Sequence, residues 1–308
     1  TMNVEGPILV KSGLESGDPT RPDMEFVRTQ HAQLGETVFI PGSSIKGTLR
    51  SYNEKIARTL KVVCCNPFDG EHSCSKRLEG LAKQSKSAEI YHKSCVACKL
   101  YGSTNLAGRA AFADAYPPKP IPITQLMKRT GVAIDRILGS VAVGPFDFEV
   151  LTGGAFRSTI RLRNFELWQL ALIGLALRDL CLGRIRVGYG KSRGLGNVSA
   201  TLDKLELRAI SADGLTRQSD KLTVKGIGGL MTEDERNRYG IMETLAVTFA
   251  SKLKPIEDLI GCTIIFERKA DGSDWCAPEV NALLSDCIKQ AWTAYKDAHQ
   301  VGRESDND

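Results

Sequence analysis

The 308-residue sequence has no apolar run near the length of about 18 residues that a bilayer span requires, and Thr1 to Gly13 carry no basic segment followed by an apolar one. Neither a membrane span nor a secretory leader is expected, no membrane partner is expected, and the expected compartment is cytoplasmic. Aromatic residues make up only 6% of the chain, which leaves little material for base-stacking platforms. Histidine is scarce, with four residues. None opens a His-x-Glu pattern, no His-Glu-x-x-His occurs, and Ser94 rather than proline precedes Cys95, so the zinc deaminase and zinc protease patterns are missing. An NTPase phosphate loop is missing too: Gly190-Lys191-Ser192 is present, but the glycine required five residues earlier is Ile185. The chain has no internal repeat.

What is present fits a folded protein of one large or two modest domains: 42% hydrophobic, 25% charged. The net charge of +5 is unevenly placed. Between Arg157 and Arg193, eight basic residues stand against Glu166 and Asp179, which leaves the remainder near neutral and suggests contact with a phosphate backbone. A solvated face is the plain alternative.

Apolar positions Ile45, Leu49, Tyr52, Ile56 and Leu60 lie on one face of a helix, with Ser43 or Ser44 as its N-cap. A second helix is expected from about Asn164 to Leu182, apolar nearly all round and stopped by Gly183. Met2 to Lys11 and Arg184 to Tyr189 read as strands, as do Thr244 to Ala250 and Cys262 to Phe266, and Glu279 to His299 reads as an amphipathic helix. The order of elements is that of an α+β domain with a βαββαβ-like core.

Five of the nine cysteines fall between Cys64 and Cys98. Cys95 and Cys98 have the C-x2-C spacing that lets two thiolates meet one zinc, and Cys65 and Cys74 can complete a tetrahedral site, with His72 and Cys64 as substitutes. The intervening segment is rich in lysine and serine and too poor in apolar residues to make its own core, so a structural metal is expected as a staple.

Two segments invite a polyanion. Gly190, Lys191, Arg193 and Gly194 belong to a loop whose backbone can come close to phosphate while two cations reach it, although a tight hairpin needing positive φ explains the glycines equally well. Lys46 and Arg50 share one face of the first helix, where cations oppose the helix dipole unless an anion lies nearby.

Ile40-Pro-Gly-Ser-Ser-Ile-Lys-Gly-Thr-Leu-Arg50, Cys98-Lys-Leu-Tyr-Gly-Ser103 with Phe112-Ala-Asp114, Val132-Ala-Ile-Asp-Arg136 and Gly188 to Gly196 follow one another in the order seen in the RAMP superfamily of CRISPR-associated proteins. Over about residues 1–204 the sequence resembles the repeated backbone subunits of type III-like (class 1) effector complexes. The cysteine segment resembles the III-D and III-E branch and the related type VII complexes. The resemblance implies a modified ferredoxin-like palm of the RNA-recognition type over 1–204, with a zinc-binding insertion at 62–104 and a thumb hairpin at about 121–150. A C-terminal extension at 205–308 has no assigned role.

The implied partners are CRISPR guide RNA, target RNA, further copies of the chain and other subunits of an antiviral ribonucleoprotein complex. Carried over residue by residue, Ser43, Ser44, Lys46 and Arg50 hold guide phosphates beside Gly190, Lys191, Arg193 and Gly194, and Arg136 belongs to the RNA contacts of the thumb. Met127, Ile134 and Leu138 are candidate wedges into the guide–target duplex, with a core role as the alternative. In cleaving members an aspartate in the loop before the Ile-Pro-Gly-Ser-Ser motif cuts target RNA with a divalent metal such as magnesium. Asp23 best fits that place and Asp18 is the alternative. Two other readings stand beside this one: a non-catalytic scaffold whose complex relies on a separate nuclease, and a zinc-stapled RNA-binding protein outside CRISPR.

Overall fold

The periodic run from Ile45 to Ile56 forms the helix Gly42–Thr59 in the computed structural model, which describes residues 1–13, 22–258, 261–270 and 272–300. Ile45, Leu49 and Ala57 are buried along one face, as a 3.6-residue repeat of apolar side chains requires. The architecture is mixed α/β, built from helices and several small antiparallel sheets of two or three strands. No helix among the described residues is long and apolar enough to cross a membrane.

Two compact units divide the chain. The first comprises Thr1–Thr48, Phe112–Thr159 and Asp179–Thr201. In it Met2–Val4 is the central strand between Val198–Ala200 and Ala155–Phe156, antiparallel to both, with Met2 opposite Ala200 and Phe156. A long hairpin pairs Leu126–Ile134 with Val141–Leu151. Its root is buried at Val150 and Leu151, where Ile8 exchanges both backbone hydrogen bonds with Leu151. Toward the tip the hairpin leaves the core altogether.

Two sequence expectations give way here. The opening segment is a strand only over Met2–Val4, and Arg184 to Tyr189 is not a strand. Its backbone turns between different partners, Arg184 bonding to Asp179, Val187 to Gly196 and Tyr189 to Leu9, so no single neighbour offers it a ladder. Gly188 sits at φ 89°, where a Cβ would strike the Leu9 carbonyl.

The second unit comprises Leu49–Ala111, Ile160–Arg178 and the chain from Leu202 onward. At its centre is the helix Leu167–Cys181, with Leu167, Trp168, Ala171, Leu172 and Ala176 all but inaccessible. Tyr295 stacks on Trp168 at 4.1 Å between ring centres. Two three-stranded sheets complete the unit, one ordered Lys204–Ala209, Gly261–Glu267, Ile256–Asp258, the other Leu215–Gln218, Lys221–Lys225, Ala246–Ala250. The helix expected from Glu279 to His299 is Pro278–Asp286 and Thr293–Ala298, joined by a wider π turn over Cys287–Trp292.

The buried helix begins on a buried carboxylate. Glu243 accepts from the Leu167 N–H at 2.8 Å and the Trp168 N–H at 3.3 Å, satisfying two donors that a helix start leaves open. Burial raises this carboxyl from 4.5 to about 8, against the two N–H donors, which lower it. Between those values the folded chain keeps a proton that the unfolded chain has released, so stability falls as pH rises through that window and levels off above it. Thermal melts from pH 5 to 9 should show this decline in the wild type and a flatter profile in Glu243→Gln, which retains an acceptor but cannot ionise. Parallel profiles would assign the decline to other groups.

Candidate metal centre and nucleic-acid interface

The cysteine-bearing segment folds as four short helices, Cys74–Arg77, Glu79–Lys83, Ser87–Lys93 and Val96–Tyr101. Cys95 is the N-cap of the last, so Cys95 and Cys98 stand one turn apart on one side of it. Cys74 opens the first, whose N-cap Ser73 accepts from the Lys76 N–H. Cys65 arrives from the chain after the helix Gly42–Thr59. The four sulfurs lie within 4.8 Å of one another, and no disulfide joins them.

The Cys65 sulfur is 3.7 Å from that of Cys98 and 3.6 Å from that of Cys95. Sulfurs at 2.3 Å from a tetrahedral zinc stand about 3.8 Å apart, so this quartet can hold a metal ion and is compatible with structural zinc. Thiols crowded in this way share protons unequally. Cys95, hydrogen-bonded with Cys64 and then with Cys65, Cys74 and Cys98, is held far below the ordinary thiol range, while Cys98 is pushed far above it, first by Cys65. A cation among them makes four thiolates compatible. Cys64 is not one of the four, and His72 is exposed, its ring engaged with Asp69 at 3.2 Å.

Arg50 lies against this cluster. Its Nε donates to Glu54 at 2.8 Å, one terminal nitrogen to the Gly102 carbonyl at 2.9 Å, and the other to the Cys98 sulfur at 3.5 Å. The structure therefore separates the environment of Arg50 from that of the residues grouped with it on sequence grounds.

Those residues stay near the helix start. The anion there is Asp114, whose carboxylate accepts from the Gly42 N–H at 2.7 Å; the N-cap is thus supplied from outside the helix, and Ser43 and Ser44 remain exposed and half-exposed. Asp114 answers the dipole argument raised by Lys46 and Arg50, a role that its place in the Phe112-Ala-Asp114 motif did not by itself disclose. Gly42 must be glycine, since a Cβ would run into the Phe112 carbonyl. The glycine loop is brought to the same helix, with the Lys191 ammonium 3.5 Å from the Thr48 hydroxyl. Gly190 and Gly194, both left-handed, bracket the turn Lys191–Arg193, and Arg193 lies over the Tyr189 ring at 4.9 Å. Exposed cations, exposed backbone and one half-exposed aromatic ring thus share a loop.

The hairpin places its apolar residues in solvent. Ile134 and Leu138 are 63% and 80% exposed and Met127 is 49% exposed, so none is a core residue of this chain. Arg136 is exposed in the tip, where the Asp135 carboxylate accepts from the N–H groups of Ile137 and Leu138.

Asp23 lies along the hairpin root. The backbone of Met24 bonds on either side of Phe148, and the exposed Asp23 carboxylate accepts from the Asp147 N–H at 2.8 Å. The Asp147 carboxylate in turn takes Lys128 at 2.6 Å and Thr130 at 2.7 Å. Asp18 lies outside the described residues.

A basic glycine loop, a cation-bearing helix and a protruding hairpin with bare apolar side chains are features that suit a nucleic-acid-binding surface. Residues 1–199 match the RAMP superfamily, and the chain belongs to it. Membership makes it a CRISPR-associated RNA-binding subunit, working with CRISPR RNA and other subunits of an effector complex. No curated protein matches the chain.

The purified chain should contain about one metal ion, lost on Cys65→Ser, Cys95→Ser or Cys98→Ser and kept on Cys64→Ser or His72→Ala. Elemental analysis decides this, and a metal that survives Cys65→Ser would move the site.

Proposed function

We propose that the chain is a guide-RNA-binding backbone subunit of a type III-like effector complex, repeated along the guide and holding the guide–target duplex. The observation that carries this is the RAMP match over residues 1–199. A ferredoxin-like palm is supported by the central position of Met2–Val4 between Val198–Ala200 and Ala155–Phe156, and by the pairing of Ile160–Leu162 with Ala110–Phe112. The cysteine quartet, read as a structural zinc site, supports the III-D, III-E and type VII branch. The thumb is the hairpin Leu126–Leu151, whose bare apolar side chains are suited to wedge between bases.

On this reading Ser43, Ser44, Lys46, Lys191 and Arg193 face guide phosphates, with Gly190 and Gly194 allowing close backbone approach. Each lysine or arginine lost should make the log–log salt dependence of RNA binding shallower by about 0.7, regardless of RNA sequence. The triple variant Lys46→Gln, Lys191→Gln, Arg193→Gln should therefore lose about 2 in slope. An unchanged slope would put these residues on an idle face.

For cutting, Asp23 would take the proton of the target's 2′-hydroxyl as that oxygen attacks the adjacent phosphate and the bond to the 5′-oxygen breaks, leaving a 2′,3′-cyclic phosphate and a 5′-hydroxyl that takes its proton from water; a divalent metal such as magnesium would neutralise the developing charge. The scaffold reading is favoured by one observation: the Asp23 carboxylate already has a structural partner in the Asp147 N–H. Asp23→Asn separates the two, because it keeps an acceptor oxygen for that N–H and removes the charge. Cutting of matched target RNA by the assembled complex should disappear in Asp23→Asn while guide and target affinity stay near wild type. A wild-type complex that cuts only when a separate nuclease is added would establish the scaffold.

A further inference from the structure

Four thiolates around one divalent ion carry a net charge of −2, and in a part-buried site that charge requires compensation. Arg50 and Arg77 each direct a guanidinium nitrogen at a cluster sulfur: Arg50 at Cys98, 3.5 Å, and Arg77 at Cys74, 3.9 Å. The Cys95 N–H adds a second donor to the Cys74 sulfur at 3.3 Å. We propose that Arg50 and Arg77 are positioning residues of the metal centre, holding Cys98 and Cys74 in place as thiolates, and that Arg50 is committed there rather than to an RNA phosphate.

The case is strongest for Arg50. Its side chain is only 21% exposed, and Glu54, itself held by Arg58 at 3.2 Å, fixes the guanidinium through Nε. The remaining terminal nitrogen takes the carbonyl of Gly102, the residue that ends the helix carrying Cys98. One planar group thus satisfies a carboxylate, a helix-end carbonyl and a thiolate at once, which the single ammonium of a lysine cannot do in three fixed directions. Arg77 anchors the other side of the cluster, where the same nitrogen also donates to the Lys93 carbonyl at 3.0 Å. With three of its five N–H donors engaged in this way, one from each nitrogen, Arg50 keeps little of its fork for a phosphate.

This inference rests on the metal reading given above. The test uses the full chain loaded with cobalt(II), whose thiolate-to-metal absorption reports sulfur coordination, followed by competition with zinc to obtain affinities. Arg50→Gln and Arg77→Gln should each weaken metal affinity about tenfold or more, the range found when outer partners of metal ligands are removed. Lys55→Gln, an exposed position on the helix that carries Arg50, should not change it. In the metal-loaded state Arg50→Gln should keep the wild-type salt slope for binding a labelled single-stranded RNA.

Wild-type metal affinity in Arg50→Gln, together with a slope shallower by one phosphate contact, would overturn the assignment and make Arg50 an RNA ligand. Because Arg77 is exposed at the rim, Arg77→Gln decides the matter should Arg50→Gln fail to fold. Wild-type chain that takes up no cobalt would overturn the metal reading itself, and this inference with it. Wild-type uptake with both variants unchanged would overturn this inference alone.

Discussion

Four cysteine sulfurs brought within 4.8 Å of one another, close enough to hold one cation, are the constraint on which the cysteine-bearing segment of the second unit depends. The local core of that segment consists of Cys74, Leu78, Ile90, Cys95, Ala97 and Cys98, and half of those residues are cysteines. Around it run Lys76, Lys83, Lys86 and Lys93, paired with Glu79 and Glu89 on the surface and contributing little by burial. A segment with so few apolar contacts does not offset the conformational entropy of four short helices. Metal coordination would do so by tying Cys65, Cys74, Cys95 and Cys98 into one knot, which the arginines on its flanks would extend into neighbouring helices.

In the first unit the dependence runs the other way, toward what is left unburied. A long hairpin with Ile134, Ile137, Leu138, Val141 and Val143 in water has no stability reason to exist in an isolated chain. A glycine loop bearing Lys191 and Arg193 likewise stacks like charge in the open. Both features become favourable against a polyanion with apolar base faces, which is the chemistry of RNA. Family membership and surface therefore point to the same partner by independent routes.

Much of this was legible in the sequence where a local pattern carried it. The repeat from Ile45 to Ile56 announced its helix, and the cysteine spacing announced the set Cys65, Cys74, Cys95 and Cys98, which the structure brings together while leaving out the substitutes Cys64 and His72. What was not legible depended on long-range contacts. Spacing placed Lys46 and Arg50 on one face, yet only the fold shows that Arg50 turns to Cys98 and Gly102 while Asp114 supplies the anion at the helix start. Arg184 to Tyr189 has the composition of a strand and lacks a neighbour with which to form one. Met127, Ile134 and Leu138 read equally well as core or wedge, because hydrophobicity alone does not say which side of a surface a residue lies on.

The proposed repetition of this subunit along a guide RNA has a countable consequence. Native mass spectrometry of the full, metal-loaded chain with guide RNAs of increasing length tests it most directly. Complexes should contain one RNA and a number of chains that rises in single-chain steps as the RNA lengthens. A single chain on every RNA whatever its length, or no complex at all, would contradict it.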